Sequence, residues 1–579
     1  MKNFRTGSRY GRAEAGGPVR RRSGYPDGTD AAGAAAGPGG ATGPAAGLGG
    51  AGRGHDGAGG RGRRRLSRRP MRGAGVLACA AVLLPALAAC SGDVTGGRGG
   101  SGGSGSAEGE HPEPAPTAVT RTVPRAGGPA ADLSAELTGG RGVFIGAPTP
   151  ADLEPAGYVQ HEYAAVGTAT SYRAAGELTP DGRWTFATDT TAPYRTRVLV
   201  RRPAAADRFS GTVIVEWLNV SGGVDADPEW TTLQEEITRR GDVWVGVSAQ
   251  RIGVLGGPVL VTAPGGEGVS GRGLRALDPA RYGSLSHPGD GYSFDIYTQV
   301  ARAVGAGAGL GGAKPSVVVA AGESQSAAAL VTYYNGVQPL TREFDGFFVH
   351  SRGSAGLPLV TGDQPADLAG ALQGTPTIFR TDLDAPVLNP QTESDLLGVL
   401  NSYKARQPDG DRFRLWEVAG TAHADAHLLG PNASAMNCGV PVNDGPMHVV
   451  GKAGLRALKT WITTGRAPEV APRIEVTAGG TPAIRRDSDG IAVGGIRTPP
   501  VDVPTAVLTG EPGPDASIIC LLLGSTKPLP AARLAALYSD RDVYQQRYDA
   551  AVEHTVSAGY ALADDRAALA GFAGPDALG

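Results

Sequence analysis

Aromatic side chains make up only 6% of the 579 residues, charged ones 19%, and cysteines number four. The shortage of aromatic and β-branched residues is sharpest before about Arg125, where Gly, Ala, Arg and Ser dominate. Such a stretch has too little apolar surface to offset its ordering entropy, so disorder is expected there and a folded body after it. Positive charge is missing where a nucleic-acid binder would need it. Lys and Arg outnumber Asp and Glu by 11 up to Arg72, and since the whole chain is −2 the remainder carries −13. A diffusely acidic body excludes nucleic acid and anionic membrane surfaces as its partners. Long apolar runs are absent too: the run ending at Ala89 has about sixteen apolar or small residues, too few to span a bilayer, and Pro85 breaks it.

That run, preceded by RGRRRLSRRPMR, has the form of an export signal. Leu87, Ala88, Ala89 and Cys90 resemble the bacterial lipobox, in which small residues fit the peptidase and the Cys thiol takes a diacylglyceryl anchor. The expected organisation is a basic Gly/Arg/Ala-rich tail without function over 1–70, compatible with a start at Met71, a lipoprotein signal over 71–90 and a flexible linker over 91–139. The protein is expected on the extracytoplasmic side, held to the membrane through Cys90. An ordinary cleaved signal is the alternative, and Ser67-Arg68-Arg69 leaves the twin-arginine route open beside the general one. With Cys79 inside the signal and Cys90 at its end, Cys438 and Cys520 are the only thiols of the body. In an oxidising compartment they are expected to pair, tying the C-terminal segment to the main domain.

From about Gly140 strand-like and helix-like runs alternate. Strands are expected at Tyr158–Val166, Thr196–Val200, Thr212–Glu216, Val243–Val247, Ser316–Ala320, Gly346–Val349, Thr377–Arg380 with Val387–Leu388, and Arg414–Val418. Several are unbroken runs of Val, Ile, Leu and Phe, the signature of strands buried on both faces of a parallel sheet. Helices are expected at Trp230–Arg240, Tyr292–Gly305, Ser326–Asn335, Asp395–Arg406 and His448–Thr463. The alternation selects a three-layer α/β architecture over 140–466, with an insertion, Arg251–Gly291, after the fourth strand. A C-terminal extension over 467–579 is expected to pack on it, ending in helices at Arg533–Tyr538 and Val543–Ala570.

The most informative segment is VVVAAGESQS, Val317–Ser326: a β-branched strand, then Gly322-Glu323-Ser324-Gln325-Ser326, then a helical run. This is one residue away from the G-x-S-x-G nucleophile elbow, whose tight strand-to-helix turn lifts the serine hydroxyl above the sheet. Ser326 stands where that motif has its second Gly. A triad on such a fold runs Ser, acid, His in chain order, and suitable residues follow: NPQTESD closes on Glu393 and Asp395, and AGTAH on His423. His423 is the expected general base for Ser324. Asp395 is the preferred acid because it ends its loop and is short, and Glu393 is the alternative. For the oxyanion hole the N–H of Gln325 is expected to act with one from the loop Trp217–Gly223, from Asn219 or Val220.

The segments VEWLNVSGG, DPARYGSLSHPGDGYSFDIYTQ, AGESQSAAAL, PVLNPQTESD, AGTAHADAH, CGVPVNDGPMHVV and GGIRTPPVDVP resemble the bacterial α/β hydrolase domain-containing proteins, in their large branch with a C-terminal extension. The resemblance covers about Gly140 to Ala570. It implies the α/β-hydrolase fold, a Ser324, Asp395, His423 triad and the Cys438–Cys520 pairing, and it implies no substrate. The resulting expectation is an exported serine hydrolase acting on a small-molecule carboxylic ester, without a cofactor.

Two alternatives remain open at this point. One is a surface lipoprotein that keeps the fold but only binds a small molecule. The other is a metal-dependent hydrolase using His423 and His427 of H-x-D-x-H, although no third His or Cys stands nearby. GAGLGG at 307–312 matches a dinucleotide fingerprint, but it precedes a strand instead of following one, so a turn accounts for it. Arg281, Tyr282, His287, Asp290, Tyr292 and Asp295, and likewise His350, Ser351 and Arg352, are candidates for lining the substrate cleft.

Overall fold

Runs of Val, Ile, Phe and Ala that bury every residue form the centre of a nine-stranded sheet of order β1-β2-β3-β5-β4-β6-β7-β8-β9. A computed structural model describes residues 123–579 apart from 148–150, 263–265, 267 and 478. The basic tail, the signal, Cys90 and most of the linker therefore lie outside the described residues. The strands are β1 Asp132–Glu136, β2 Tyr158–Ala174, β3 Phe186–Pro203, β4 Thr212–Trp217, β5 Val243–Val247, β6 Val317–Glu323, β7 Gly346–His350, β8 Val387–Thr392 and β9 Phe413–Val418. Strands β1, β2 and β3 pair antiparallel and join the sheet through β3 against β5. From β5 through β4 to β9 all pairs are parallel.

The period-2 alternation of a strand divides the core between the two faces. Val213 and Val215 of β4 join Val245, Ala320 and Phe347 on one face, under helices Ser293–Gly305 and Gln325–Thr332. Ile214 joins Trp244, Val319 and Phe348 on the other, under helices Pro228–Arg240 and Met447–Thr464. The result is the expected three-layer α/β fold. Glu216, fully buried in β4, accepts hydrogen bonds from the N–H groups of Glu229 and Trp230 and from the Trp244 indole. It thereby satisfies two otherwise orphaned donors at the start of a helix.

Several elements differ from the sequence expectation. Strand β1 lies inside the stretch read as linker, where it pairs with β2 through Asp132 opposite Val166. The Arg251–Gly291 insertion consequently follows the fifth strand, and it contains short helices at Arg251–Leu255, Gly273–Leu277 and Pro279–Tyr282. Thr377–Arg380 is not a strand; the N–H of Phe379 is satisfied by the Gln407 side chain instead of a ladder. The helix expected at Asp395–Arg406 stops after one turn, Glu393–Leu396, because Leu397 is extended and Gly398 has φ +69°. A 3-10 turn, Ser402–Ala405, follows.

The C-terminal residues fold back onto the sheet layers. Tyr560 packs edge-on against Trp416 of β9, Asp565 pairs with Lys452, and Cys438 is disulfide-bonded to Cys520. A two-stranded ribbon, β10 Ala506–Thr509 with β11 Ser525–Pro528, lies in this part. Among the described residues no helix is long and apolar enough to cross a membrane.

Candidate active site

Ser324 stands between the last residue of β6 and the first of helix Gln325–Thr332, at φ 62° and ψ −117°. A non-glycine residue held there costs of order 1–3 kcal/mol and persists only where its surroundings over-determine it. The Ser324 N–H donates to the His350 carbonyl of neighbouring β7 at 3.0 Å. A Cβ on Gly322 would lie 3.1 Å from Leu330 and 3.2 Å from the Ser326 backbone, so the turn closes only around a small residue. Ser326 is fully buried, and its hydroxyl donates to the Glu323 carbonyl at 2.7 Å. The serine in place of the motif's second glycine therefore satisfies the last carbonyl of β6.

Asp395 and His423 follow the ends of the next two parallel strands but one, β8 and β9. Asp395 sits in the first turn after β8, where its Oδ2 accepts from the Thr392 N–H at 2.6 Å and from the Ser351 hydroxyl at 2.7 Å. Its Oδ1 is 2.7 Å from His423 Nδ1, and His423 Nε2 is 2.8 Å from Ser324 Oγ. All three side chains converge at the carboxyl end of the sheet. Burial by itself would raise the Asp395 pKa, but the His423 ring and the Ser351 and Thr392 donors hold it below the usual carboxylate range. Burial disfavours the His423 cation, while the Asp395 carboxylate outweighs burial and raises the imidazole above its ordinary value.

Glu393, the alternative acid, is directed elsewhere. Its carboxylate accepts from the Gly420 N–H at 2.9 Å and the Thr509 hydroxyl at 2.8 Å and pairs with Arg486. It thus holds the turn that leads to His423, through groups of the C-terminal segment.

The sequence matches the family described as "Alpha/beta hydrolase domain" over residues 125–571. The chain belongs to this family. Among solved structures, this α/β-hydrolase domain is similar to an α/β serine hydrolase without a lid from Xanthomonas campestris, at 14% identity over 50% of this chain and 94% of that chain, TM-score 0.26. It is likewise similar to the esterase domain of a Rhodothermus marinus protein, at 12% identity over 51% of this chain and 98% of that one, TM-score 0.25. A thermostable esterase from Pseudomonas putida shares 15% identity over 52% and 82%, with TM-score 0.25. No curated protein matches. Family membership supports a hydrolase.

The oxyanion candidates separate on inspection of their donors. Gln325 is the first residue of its helix, so its N–H has no intrahelical acceptor. The Asn219 N–H is committed to the Ala226 carbonyl at 2.9 Å, which removes it as a donor, and its side-chain amide holds the Glu323 carbonyl at 3.0 Å. The Val220 N–H donates at 3.1 Å to the side-chain Oε1 of Gln325. Of the two loop candidates only Val220 has a donor that a rearranging side chain can release.

His427 does not share a helix face with His423. His423 lies in the loop before the one-turn helix Ala426–Leu429, and Asp425 caps that helix by accepting from the Leu428 N–H. The His427 ring stacks on His448 at 3.7 Å and faces the Thr231 carbonyl. Burial lowers the pKa of both rings, that of His448 to about 2. Among the described residues no group of three or more His, Cys, Asp and Glu could hold a metal ion.

The expected cleft-lining cluster of the insertion is a latch. Arg281 and Tyr282 bind Glu162 of β2, Asp295 accepts from the Thr170 N–H, and Asp290 accepts from the N–H groups of Arg251 and Ala366. Arg352 is likewise spent on the Gly353, Ser354 and Thr377 carbonyls. Of that trio, Ser351 holds Asp395 through its hydroxyl and His350 holds the Ser324 N–H through its backbone carbonyl.

Above Ser324 and His423 opens a cavity of about 490 Å³ whose wall includes Phe144, Ile145, Leu428, Leu429, Ile519 and Leu522. Sequence reasoning missed these wall residues, which come from both ends of the folded body. It also missed Glu323, which lines the cavity, is 3% exposed and whose carboxylate makes no hydrogen bond to a described residue. Burial raises its pKa to about 7 against the opposing pull of His423 and His350. Its place in the pentapeptide was the available signal.

Proposed function

We propose that the protein is a serine hydrolase that cleaves carboxylic esters through a covalent acyl-enzyme. The observation that carries the reading is the unbroken chain from Ser324 Oγ to His423 Nε2 and from His423 Nδ1 to Asp395, with Ser324 held at positive φ. Ser324 attacks the ester carbonyl while His423 takes its proton, and Asp395 orients the ring and stabilises the imidazolium. The developing oxyanion is received by the Gln325 N–H and by the Val220 N–H once the Gln325 side chain gives it up. His423 then donates its proton to the leaving alcohol, and water repeats the sequence on the acyl-enzyme. The same reading takes the chain as an exported lipoprotein anchored through Cys90, on the strength of the sequence around that residue.

The test is labelling with a fluorescent fluorophosphonate. Wild type is expected to label and Ser324→Ala and His423→Ala to stay dark. A folded wild type that does not label overturns the reading and leaves a protein that only binds its ligand.

A further inference from the structure

Ser324 lies in the wall between two unlike cavities. The larger, of about 490 Å³, also contains His423, Glu323 and Asp227. The smaller, of about 30 Å³, is walled by Gln325, Ala328, Leu368, Ala371, Leu372 and Leu400 and contains neither His423 nor any charged residue. Ser221, Val261 and Leu522 border both, so the two meet at the serine.

The chemistry assigns a substrate half to each, on the reading given under Proposed function. A carbonyl carbon attacked by Ser324 carries three other substituents: the oxyanion, the acyl residue and the leaving oxygen. The leaving oxygen departs with a proton from His423 Nε2, so the alcohol must lie on the His423 side, in the large cavity. The oxyanion faces the Gln325 N–H. The direction that remains for the acyl residue is the small cavity beside Gln325. One water needs about 10–15 Å³ measured in this way, so 30 Å³ accommodates one to three carbon atoms. The large cavity falls within the range of about 300–1,000 Å³ that takes a whole small molecule.

The large cavity is apolar over much of its wall, and among the described residues it has no Lys or Arg. Its ionisable groups besides His423 are Asp227, which pairs with Arg201 at 2.6 Å, and Glu323. With Asp227 paired to Arg201, an anionic alcohol would meet the Glu323 carboxyl group and no Lys or Arg of the wall there. We infer that the substrate is a short-chain ester, acetyl or propionyl, of a bulky alcohol that carries no negative charge.

The experiment measures kcat/KM of the full chain for 4-nitrophenyl esters from acetate to octanoate, alongside fluorophosphonate labelling. Acetate and propionate are expected to exceed octanoate by about 100-fold or more, since even two misfitting methylenes at about 10-fold each reach that ratio. Leu372→Ala and Leu368→Ala, each checked for folding by its labelling, are expected to raise butanoate relative to acetate by about 10-fold. In a second comparison, methyl 4-acetoxybenzoate is expected to be cleaved about 10-fold better than 4-acetoxybenzoate, and Glu323→Gln to narrow that gap. A wild type that labels but cleaves octanoate as well as acetate, or whose profile neither variant moves, overturns the acyl assignment while the serine-hydrolase reading stands. Equal cleavage of the two benzoates overturns the exclusion of anionic alcohols. A folded wild type that neither labels nor turns over any ester overturns the reading and the inference together.

Discussion

The residues proposed to react and the cavity walls around them are built in different ways. Ser324, Asp395 and His423 each follow the end of a strand in the parallel part of one sheet, and each is fixed by backbone or by short polar contacts: His350 O for Ser324, Thr392 N–H and Ser351 for Asp395, the Ser394 hydroxyl for the His423 N–H. The walls are gathered from Phe144 and Ile145, from the loop after β4, from Leu428 and Leu429 and from Ile519 and Leu522. They are held by apolar packing and by the Cys438–Cys520 disulfide, whose residues share a small core with Ala424 and Leu523. On the proposed function, the contrast teaches that the chemistry would be a property of the sheet, while selectivity would belong to segments distant in sequence that could change without disturbing Ser324, Asp395 and His423.

The sharpest way to break the comparison is at the nucleophile. Ser324→Ala is expected to lower kcat by about 10⁴-fold or more while leaving thermal unfolding nearly unchanged, as measured by ester hydrolysis beside a melting curve. Next come the two acids. Asp395→Asn should cost about 10⁴-fold in kcat, because the imidazolium loses its carboxylate and the ring its orientation. Glu393→Gln should instead lower stability by about 1–3 kcal/mol in denaturant unfolding and spare most of kcat, because Glu393 holds the turn before His423 and touches no reacting atom. Equal loss of kcat in both would erase the distinction between the reacting acid and the supporting one.

On the wall side, the double variant Cys438→Ser, Cys520→Ser opens a loop of sequence separation 82. The chain-entropy argument puts the loss at about 4.5 kcal/mol, to be read from denaturant unfolding. Ester selectivity should change more than kcat for the best substrate, since the disulfide lies beside Ile519 and Leu522 and far along the chain from Ser324. A smaller effect is expected at Ser351→Ala. Losing one hydrogen bond to a charged group weakens Asp395 by about 1.5–3 kcal/mol, which should appear as roughly a tenfold drop in kcat.

The smallest expected effect is in the pH profile. The reaction needs neutral His423, so kcat/KM falls as pH drops through the His423 pKa. Burial lowers that pKa, but the Asp395 carboxylate outweighs it with help from Glu323, which places the acid limb above the ordinary 6.5. Glu323→Gln removes one of those negative charges and should move the limb to lower pH by less than about one unit. A limb that moves upward would show that Glu323 does not act on His423 through its charge.

Much of the sheet was legible because fully buried parallel strands leave short runs rich in β-branched residues, such as Val213–Val215 and Val317–Ala320. The antiparallel β1 was not, since DLSAE alternates weakly and lies in a polar, Gly-rich neighbourhood. The helix expected at Asp395–Arg406 shrinks to one turn, capped by Thr392 and Asp395, because the Gly398 conformation that ends it is a backbone property with a common residue. Positions of Ser324, Asp395 and His423 along the chain could be read from the order that the fold imposes. The choice between Glu393 and Asp395 rested on loop position alone, two residues apart, and the side-chain directions settle which of them meets His423.

Local sequence by itself determined the strained turn at Ser324, because a β-branched run, Val317–Val319, leads into it and Gly322 and Ser326 are small enough for strand and helix to approach. It also determined which strands are buried and in what order the polar residues arrive at their ends. Only the tertiary structure decided that the Val220 amide is occupied by the Gln325 side chain, that the insertion's polar cluster clasps β2 instead of lining the cleft, and that one cavity beside Ser324 is large and the other small. The reason is one of range. Turn geometry and strand burial depend on neighbours a few residues away, whereas a cavity is the space left over when segments hundreds of residues apart have finished packing.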